Sequence, residues 1–180
     1  GTPTVGDPHR TDRYGELWDQ HRIDVCLTVL EFLKPHVVLS GGWAWHVMSP
    51  PGHPEYKHAH DHKDIDVFSA TSEVPVVMGI LRDLGFERVG TRYDRLPSEE
   101  EFRRYEMIED GVRVTIDFFV KDVPERVVDG WRVVDPTTLL TFYGRIHSSD
   151  KCFAVVAASK LLAAGIDPVG RPELVEIPKV

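Results

Sequence analysis

The chain has 180 residues, 42% of them hydrophobic and 28% charged, with 29 acidic against 21 basic side chains and a formal net charge of −8. That composition belongs to an ordinary globular protein of one domain, or a core domain with a small helical appendage, long enough to bury a single core. The acidic balance argues against gripping a long nucleic acid through many phosphates, although a local basic patch is compatible with it.

No apolar run approaches the roughly 18 residues of a membrane span, and no secretory signal is visible. A cytoplasmic protein without a membrane partner is expected. Gly1 in place of an initiator Met reads as a processed end or a cloning remnant. The two cysteines, Cys26 and Cys152, each sit in an apolar helical pattern and are expected as buried thiols, outside any disulfide framework.

Residues 1 to 9 are rich in Gly, Pro and Thr and read as loose chain. From Arg13 to Lys34 the apolar positions recur with helical spacing, and Pro35 ends the pattern. Val37-Val38-Leu39 is a short apolar run into Ser40-Gly41-Gly42, which predicts a buried strand entering a turn. Trp43 to Met48 fits a short helix, stopped by Ser49-Pro50-Pro51-Gly52. Residues 53 to 62 form a polar loop with His53, His58, His60 and His62.

Asp64 to Phe68 alternates with period two and predicts a strand, its two carboxylates on one face and Ile65 and Val67 on the other. Val74 to Leu84 predicts a helix with Pro75 in its first turn and Gly85 beyond its end. Phe86 to Val89 is a short strand, and residues 94 to 101 a charged loop. Arg103 to Ile108 and Val112 to Val120 flank Glu109-Asp110-Gly111, a hairpin signal that puts Asp117 inside the second strand. Trp131 to Val134 is a further strand. Asp135-Pro136 reads as a helix cap before Thr137 to Ile146, and a last helix is expected from Asp150 to Ala164. The core is assigned to residues 1–134 and a helical portion of the same domain to 135–180.

Three acids carry the chemistry. An ionised Asp in an apolar strand costs several kcal/mol unless something compensates it. Asp64, Asp66 and Asp117 all lie in such strands. Converging carboxylates repel one another, and a divalent cation removes that conflict; hard oxygen ligands completed by water and phosphate suit Mg²⁺. Two such ions can activate an attacking hydroxyl and stabilise a leaving pyrophosphate. The Ser40-Gly41-Gly42 turn would let backbone N–H groups approach a polyphosphate at the start of a helix. Taken singly, Asp-x-Asp on an exposed strand, a Gly-Gly pair or a strand Asp is commonplace. The ordered combination is far more specific.

The segments Leu39-Ser40-Gly41-Gly42-Trp43-Ala44 and His62-Lys63-Asp64-Ile65-Asp66-Val67-Phe68 resemble the signature of small nucleotidyltransferases of the DNA polymerase beta superfamily. They look most like the bacterial lincosamide and aminoglycoside 2''-nucleotidyltransferases, which are similar in length. The pattern covers residues 37 to 120. The resemblance implies a mixed α/β (α+β) nucleotidyltransferase fold, with a short mixed sheet flanked by helices and a C-terminal helical portion. It implies Mg²⁺ as cofactor, two ions being expected, and an NTP as co-substrate. Asp64 and Asp66 match metal ligands, and Asp117 matches a third carboxylate that helps deprotonate the acceptor. Ser40 and Gly41 match the triphosphate-contacting turn. Gly42, Lys63 and Lys160 join them as nucleotide-contacting candidates, since a late helix in many relatives offers a Lys or Arg to the phosphates. Two features depart from the antibiotic-modifying relatives: Lys63, where they often carry Asp, and the Pro- and His-rich segment from Ser49 to His60, longer than theirs.

Other residues have two readings each. The histidines of 53 to 62 are a zinc site or a solvated loop. Glu106 is an alternative general base or an exposed strand residue. Arg103 and Arg104 lie on opposite faces of one strand, and either one meets a triphosphate or both are solvated. Lys151 and Lys160 are phosphate contacts or surface lysines. Trp43 and Trp45 are expected in the core, while Phe142 and Tyr143 are candidates to stack on a base. The expected reaction transfers a nucleoside monophosphate from an NTP to an acceptor hydroxyl, on a small molecule such as an antibiotic. A toxin modifying tRNA or protein and a non-catalytic nucleotide-binding module are the alternatives. The base preference, acceptor and oligomeric state are open.

Overall fold

The computed structural model describes residues 19–49, 63–90 and 102–143. The expected histidine loop, the 94–101 loop, the last helix, Cys152, Lys151 and Lys160 lie outside them.

Helix α1 (Gln20–Leu33) is capped by Asp19, whose carboxylate accepts from the His21 amide at 2.9 Å. Its Ile23, Cys26, Leu30 and Leu33 recur at helical spacing and are all buried. Strand β1 (Val38–Ser40) leads into helix α2 (Gly41–Met48), which begins at the glycines themselves, two residues earlier than expected. Strand β2 (Asp64–Ser69), helix α3 (Val74–Asp83) and strand β3 (Glu87–Val89) follow. Then come β4 (Phe102–Glu109), β5 (Val112–Val120), β6 (Glu125–Val128), β7 (Trp131–Val134) and helix α4 (Pro136–Tyr143).

The strands form one seven-stranded sheet in the order β3-β4-β5-β2-β1-β7-β6. Pairs β1–β2, β3–β4, β4–β5 and β6–β7 are antiparallel, while β2–β5 and β1–β7 are parallel. The architecture is therefore mixed α/β, and the sheet is wider than the short one expected. The additional strand is β6. Its sequence is charged and only Val128 is buried, so hydrophobic alternation is weak there. A turn signal was nevertheless present: Asp129 and Gly130 both have positive φ (51° and 81°), like Asp110 and Gly111 (49° and 76°). Two consecutive residues in that region make the tight hairpin turn that Asp-Gly favours.

One face of the sheet is the core. Ile65, Val67, Val114, Ile116 and Phe118 are 0% exposed, and Tyr105 and Met107 are buried beside them. Met78 of α3 lies over this face and accepts from the Tyr105 hydroxyl at 2.9 Å. Trp43, Trp45 and Met48 of α2 are also 0% exposed, which fulfils the core reading of both tryptophans. Burying a side chain of this kind contributes about 1.5–3 kcal/mol. Leu139 and Leu140 of α4 belong to the same core, so residues 136–143 pack with the strands that precede them. Among the described residues no helix is long and apolar enough to cross a membrane.

Candidate functional site

The opposite face of the sheet carries the acids. Ser40 is the register partner of Asp66 across β1–β2, Asp66 of Asp117 across β2–β5, and Asp117 of Arg104 across β5–β4. The four residues form one row across the centre of the sheet. Neighbouring strands run about 4.8 Å apart, so the side chains of a row stand next to each other. The adjacent row, one pleat away, is Asp64, Thr115 and Glu106. Strand alternation thus gathers Asp64, Asp66 and Asp117 on one surface and leaves Ile65, Val67, Ile116 and Phe118 to the core.

Each acid has a different setting. Asp117 is buried, and Arg104 grips both its oxygens: Nε donates to Oδ1 at 2.7 Å and Nη2 to Oδ2 at 3.1 Å. This fork geometry is the strong form of the ion pair. The hydrogen bonds to Asp117 raise the Arg104 pKa above its ordinary value; partial burial opposes that shift, and the charges of Asp117, Asp64 and Glu106 add to it. The guanidinium therefore lies in the field of three carboxylates.

Asp66 is half-buried against the start of α2. Gly41 has φ +63°, and a β-carbon there would overlap Oδ2 of Asp66 and stand 3.3 Å from its Cγ. Glycine is needed twice over, for the backbone conformation and for the space the carboxylate takes. The positive end of α2 thus faces Asp66. Ser40 is buried with extended backbone, and its hydroxyl makes no cap bond to the helix. Gly42 is half-buried at the second position of α2.

Asp64 is half-buried at the start of β2, and Lys63 before it is exposed. The Lys63 carbonyl accepts from Arg22 of α1, and the Arg113 carbonyl does so at 2.7 Å. One arginine thereby ties the residue just before the acid strand to β5. Glu106, the alternative base, accepts from Arg113 at 3.0 Å and from the Thr115 hydroxyl at 3.3 Å. It lies across β5 from Asp64.

Arg103 and Arg104 do lie on opposite faces. Arg103 approaches the Met78 sulfur at 3.8 Å on the core side, while Arg104 enters the acid row. That Arg104 would hold Asp117 was missed. Counting outward from the two-residue hairpin turn pairs those two positions, so the signal was present. Also missed was an aromatic row beyond the acids: Phe68, Phe119 and Phe102 are register partners. Phe68 stacks on Phe119 at 5.0 Å and on Phe142 of α4 at 5.8 Å. Phe142, a candidate base-stacking ring, is thus engaged with Phe68.

The donor set fits a divalent cation in kind, since carboxylate oxygens are the hard donors such an ion prefers. The carboxylates of this face that are at least half-buried are Asp64, Asp66, Glu106 and Asp117; Arg104 grips Asp117, and the exposed Arg113 donates to Glu106. Among the described residues no three His, Cys, Asp or Glu side chains stand close enough to enclose an ion as they lie, and Asp117 is turned to Arg104. Compared with protein-family models, with curated proteins and with solved structures, the chain gives no match.

Proposed function

We propose that the chain is a divalent-metal-dependent nucleotidyltransferase that moves a nucleoside monophosphate from an NTP to the hydroxyl of a small acceptor. One observation carries this reading: Asp66 and Asp117 are in register on parallel neighbouring strands, with Asp64 one pleat away and the Gly41 turn against Asp66. The order of strand, glycine turn, helix, Asp-x-Asp strand and Asp-bearing neighbour supports a nucleotidyltransferase fold.

Asp64 and Asp66, with Asp117 once nucleotide is bound, would hold Mg²⁺. The ion, when bound, neutralises the triphosphate and the departing pyrophosphate. The chain's own residues do the rest. The α2 N-terminus at Gly41 and Gly42 offers amide dipoles to phosphate oxygens. Asp117 accepts the proton of the acceptor hydroxyl as its oxygen bonds to the α-phosphorus and the bond to the β-phosphate oxygen breaks. Until nucleotide arrives, Arg104 pairs with Asp117 and fixes its orientation. Alignment and charge neutralisation are the protein's contribution. The net charge of −8 favours a cationic small acceptor, such as an antibiotic, over tRNA.

The test incubates the protein with each labelled NTP, Mg²⁺ and pools of aminoglycosides, lincosamides, tRNA and cell protein. Label should enter a small-molecule fraction, and the Asp64→Asn/Asp66→Asn protein should transfer none. A wild type that labels no pool and binds no NTP with Mg²⁺ ends the reading.

A further inference from the structure

Every oxygen of Asp117 is engaged by a cation that the chain supplies itself. We infer that Arg104 is a resident counter-cation of Asp117, which keeps that carboxylate out of the first metal shell and limits the nucleotide-free site to one divalent ion, entering through Asp64 and Asp66. This rests on the metal-dependent reading above and goes beyond it, because three matching acids by themselves do not fix how ions are shared among them.

The geometry supplies the reasons. The Arg104–Asp117 pair is bidentate, at 2.7 and 3.1 Å, and the Asp117 side chain is only 12% exposed. A planar fork takes one lone pair on each oxygen of a buried carboxylate, so a metal on the same oxygens would have to share them with the guanidinium. The two are register partners in a hairpin closed by a two-residue turn, so the backbone sets the guanidinium and the carboxylate on neighbouring positions. Asp64 lies within the field of the same guanidinium. Positive charge beside the site also weakens a second cation by repulsion. Arg104 therefore does at Asp117 what a second ion would do, placing a positive charge on both its oxygens. It is a positioning residue. Arriving phosphates, themselves anionic, would be the competitor that draws the guanidinium away.

Mn²⁺ binding to the full chain without nucleotide, read by electron paramagnetic resonance, tests this without reference to turnover. The wild type should bind one Mn²⁺ per chain. Asp66→Asn should weaken that binding severely, and the isosteric Asp117→Asn only slightly. Arg104→Gln should tighten Mn²⁺ binding by at least about tenfold or admit a second ion, and adding Asp117→Asn to it should remove the gain. Asp117→Asn weakening Mn²⁺ as much as Asp66→Asn in the Arg104 protein would overturn the inference while leaving the metal site standing. No gain from a folded Arg104→Gln protein would overturn it too. If the wild type binds no Mn²⁺ at all, the metal-dependent reading falls and takes this inference with it. Should Arg104→Gln not fold, the Asp117→Asn comparison decides alone.

Discussion

Oδ2 of Asp66 occupies the place where a β-carbon on residue 41 would stand. Gly41 also has φ +63°, so an alanine there meets both a strained backbone and a carboxylate in its way. Gly41→Ala should cost about 1–3 kcal/mol in urea unfolding. It should also displace Asp66, and misplacement on the order of 1 Å costs about 10²-fold in rate. Transfer activity should thus fall more than stability explains. Equal activity in a folded Gly41→Ala protein would remove the turn from the site.

Asp117 and Glu106 compete for the role of general base. Asp117 lies in the row of Asp66, whereas Glu106 is held by Arg113 and Thr115. Asp117→Asn should lower transfer by about 10²–10⁴-fold, with Glu106→Gln near wild type. Single-turnover rates at saturating NTP separate the two. The reverse ranking would assign the base to Glu106.

Removing Arg104 should also be felt in stability. Arg104→Ala strands a carboxylate that is 12% exposed, and a lost hydrogen bond to a charged group costs about 1.5–3 kcal/mol. Asp117→Asn/Arg104→Ala should cost less than the sum of the single changes, because neither partner is then left charged and alone. Denaturant titration of the four proteins measures that coupling, and additive losses would deny the pair any energetic role.

Cys26 is 0% exposed in the core face of α1. Burial pushes its thiol up to about 11, with nearby Arg22 opposing. The folded chain should leave Cys26 unalkylated at pH 8 until denaturant is added, as peptide-resolved mass spectrometry would show. The sign of the linkage follows. The folded state holds this proton longer than the unfolded one, so the contribution is full below the unfolded value and fades as pH rises towards about 11. Stability should fall over that alkaline range, and Cys26→Ala should flatten the fall. A slope unchanged by Cys26→Ala would attribute it to other groups.

Phe68 joins the acid face to α4. It is 8% exposed and lies between Phe119 and Phe142. Phe68→Ala should cost about 3–5 kcal/mol, and calorimetry should show one transition, as expected if residues 136–143 unfold with the sheet. A separate transition for that part would contradict the shared core.

The sequence by itself determined what is local. Period-two alternation put Asp64 and Asp66 on one strand face because successive side chains of a strand must point to opposite sides. The Asp110-Gly111 turn closed a hairpin of known register, and register counts outward from a two-residue turn. The pairing of Arg104 with Asp117, and of Glu106 with Thr115, was therefore already written in residue numbers. The same logic would have found β6 from Asp129-Gly130, had its charged residues not masked the strand.

Only the tertiary structure decided which strands of distant sequence lie together. No turn joins β2 to β5, so nothing local sets Asp66 beside Asp117. That parallel pairing comes from burying Ile65, Val67, Ile116 and Phe118 on one common face, a cooperative result of packing with no signature in any short window. Packing likewise seated Asp66 against Gly41. The acids were legible one by one, as was the arginine beside Asp117, and the joining of Asp66 to that pair in one row was a product of the folded sheet.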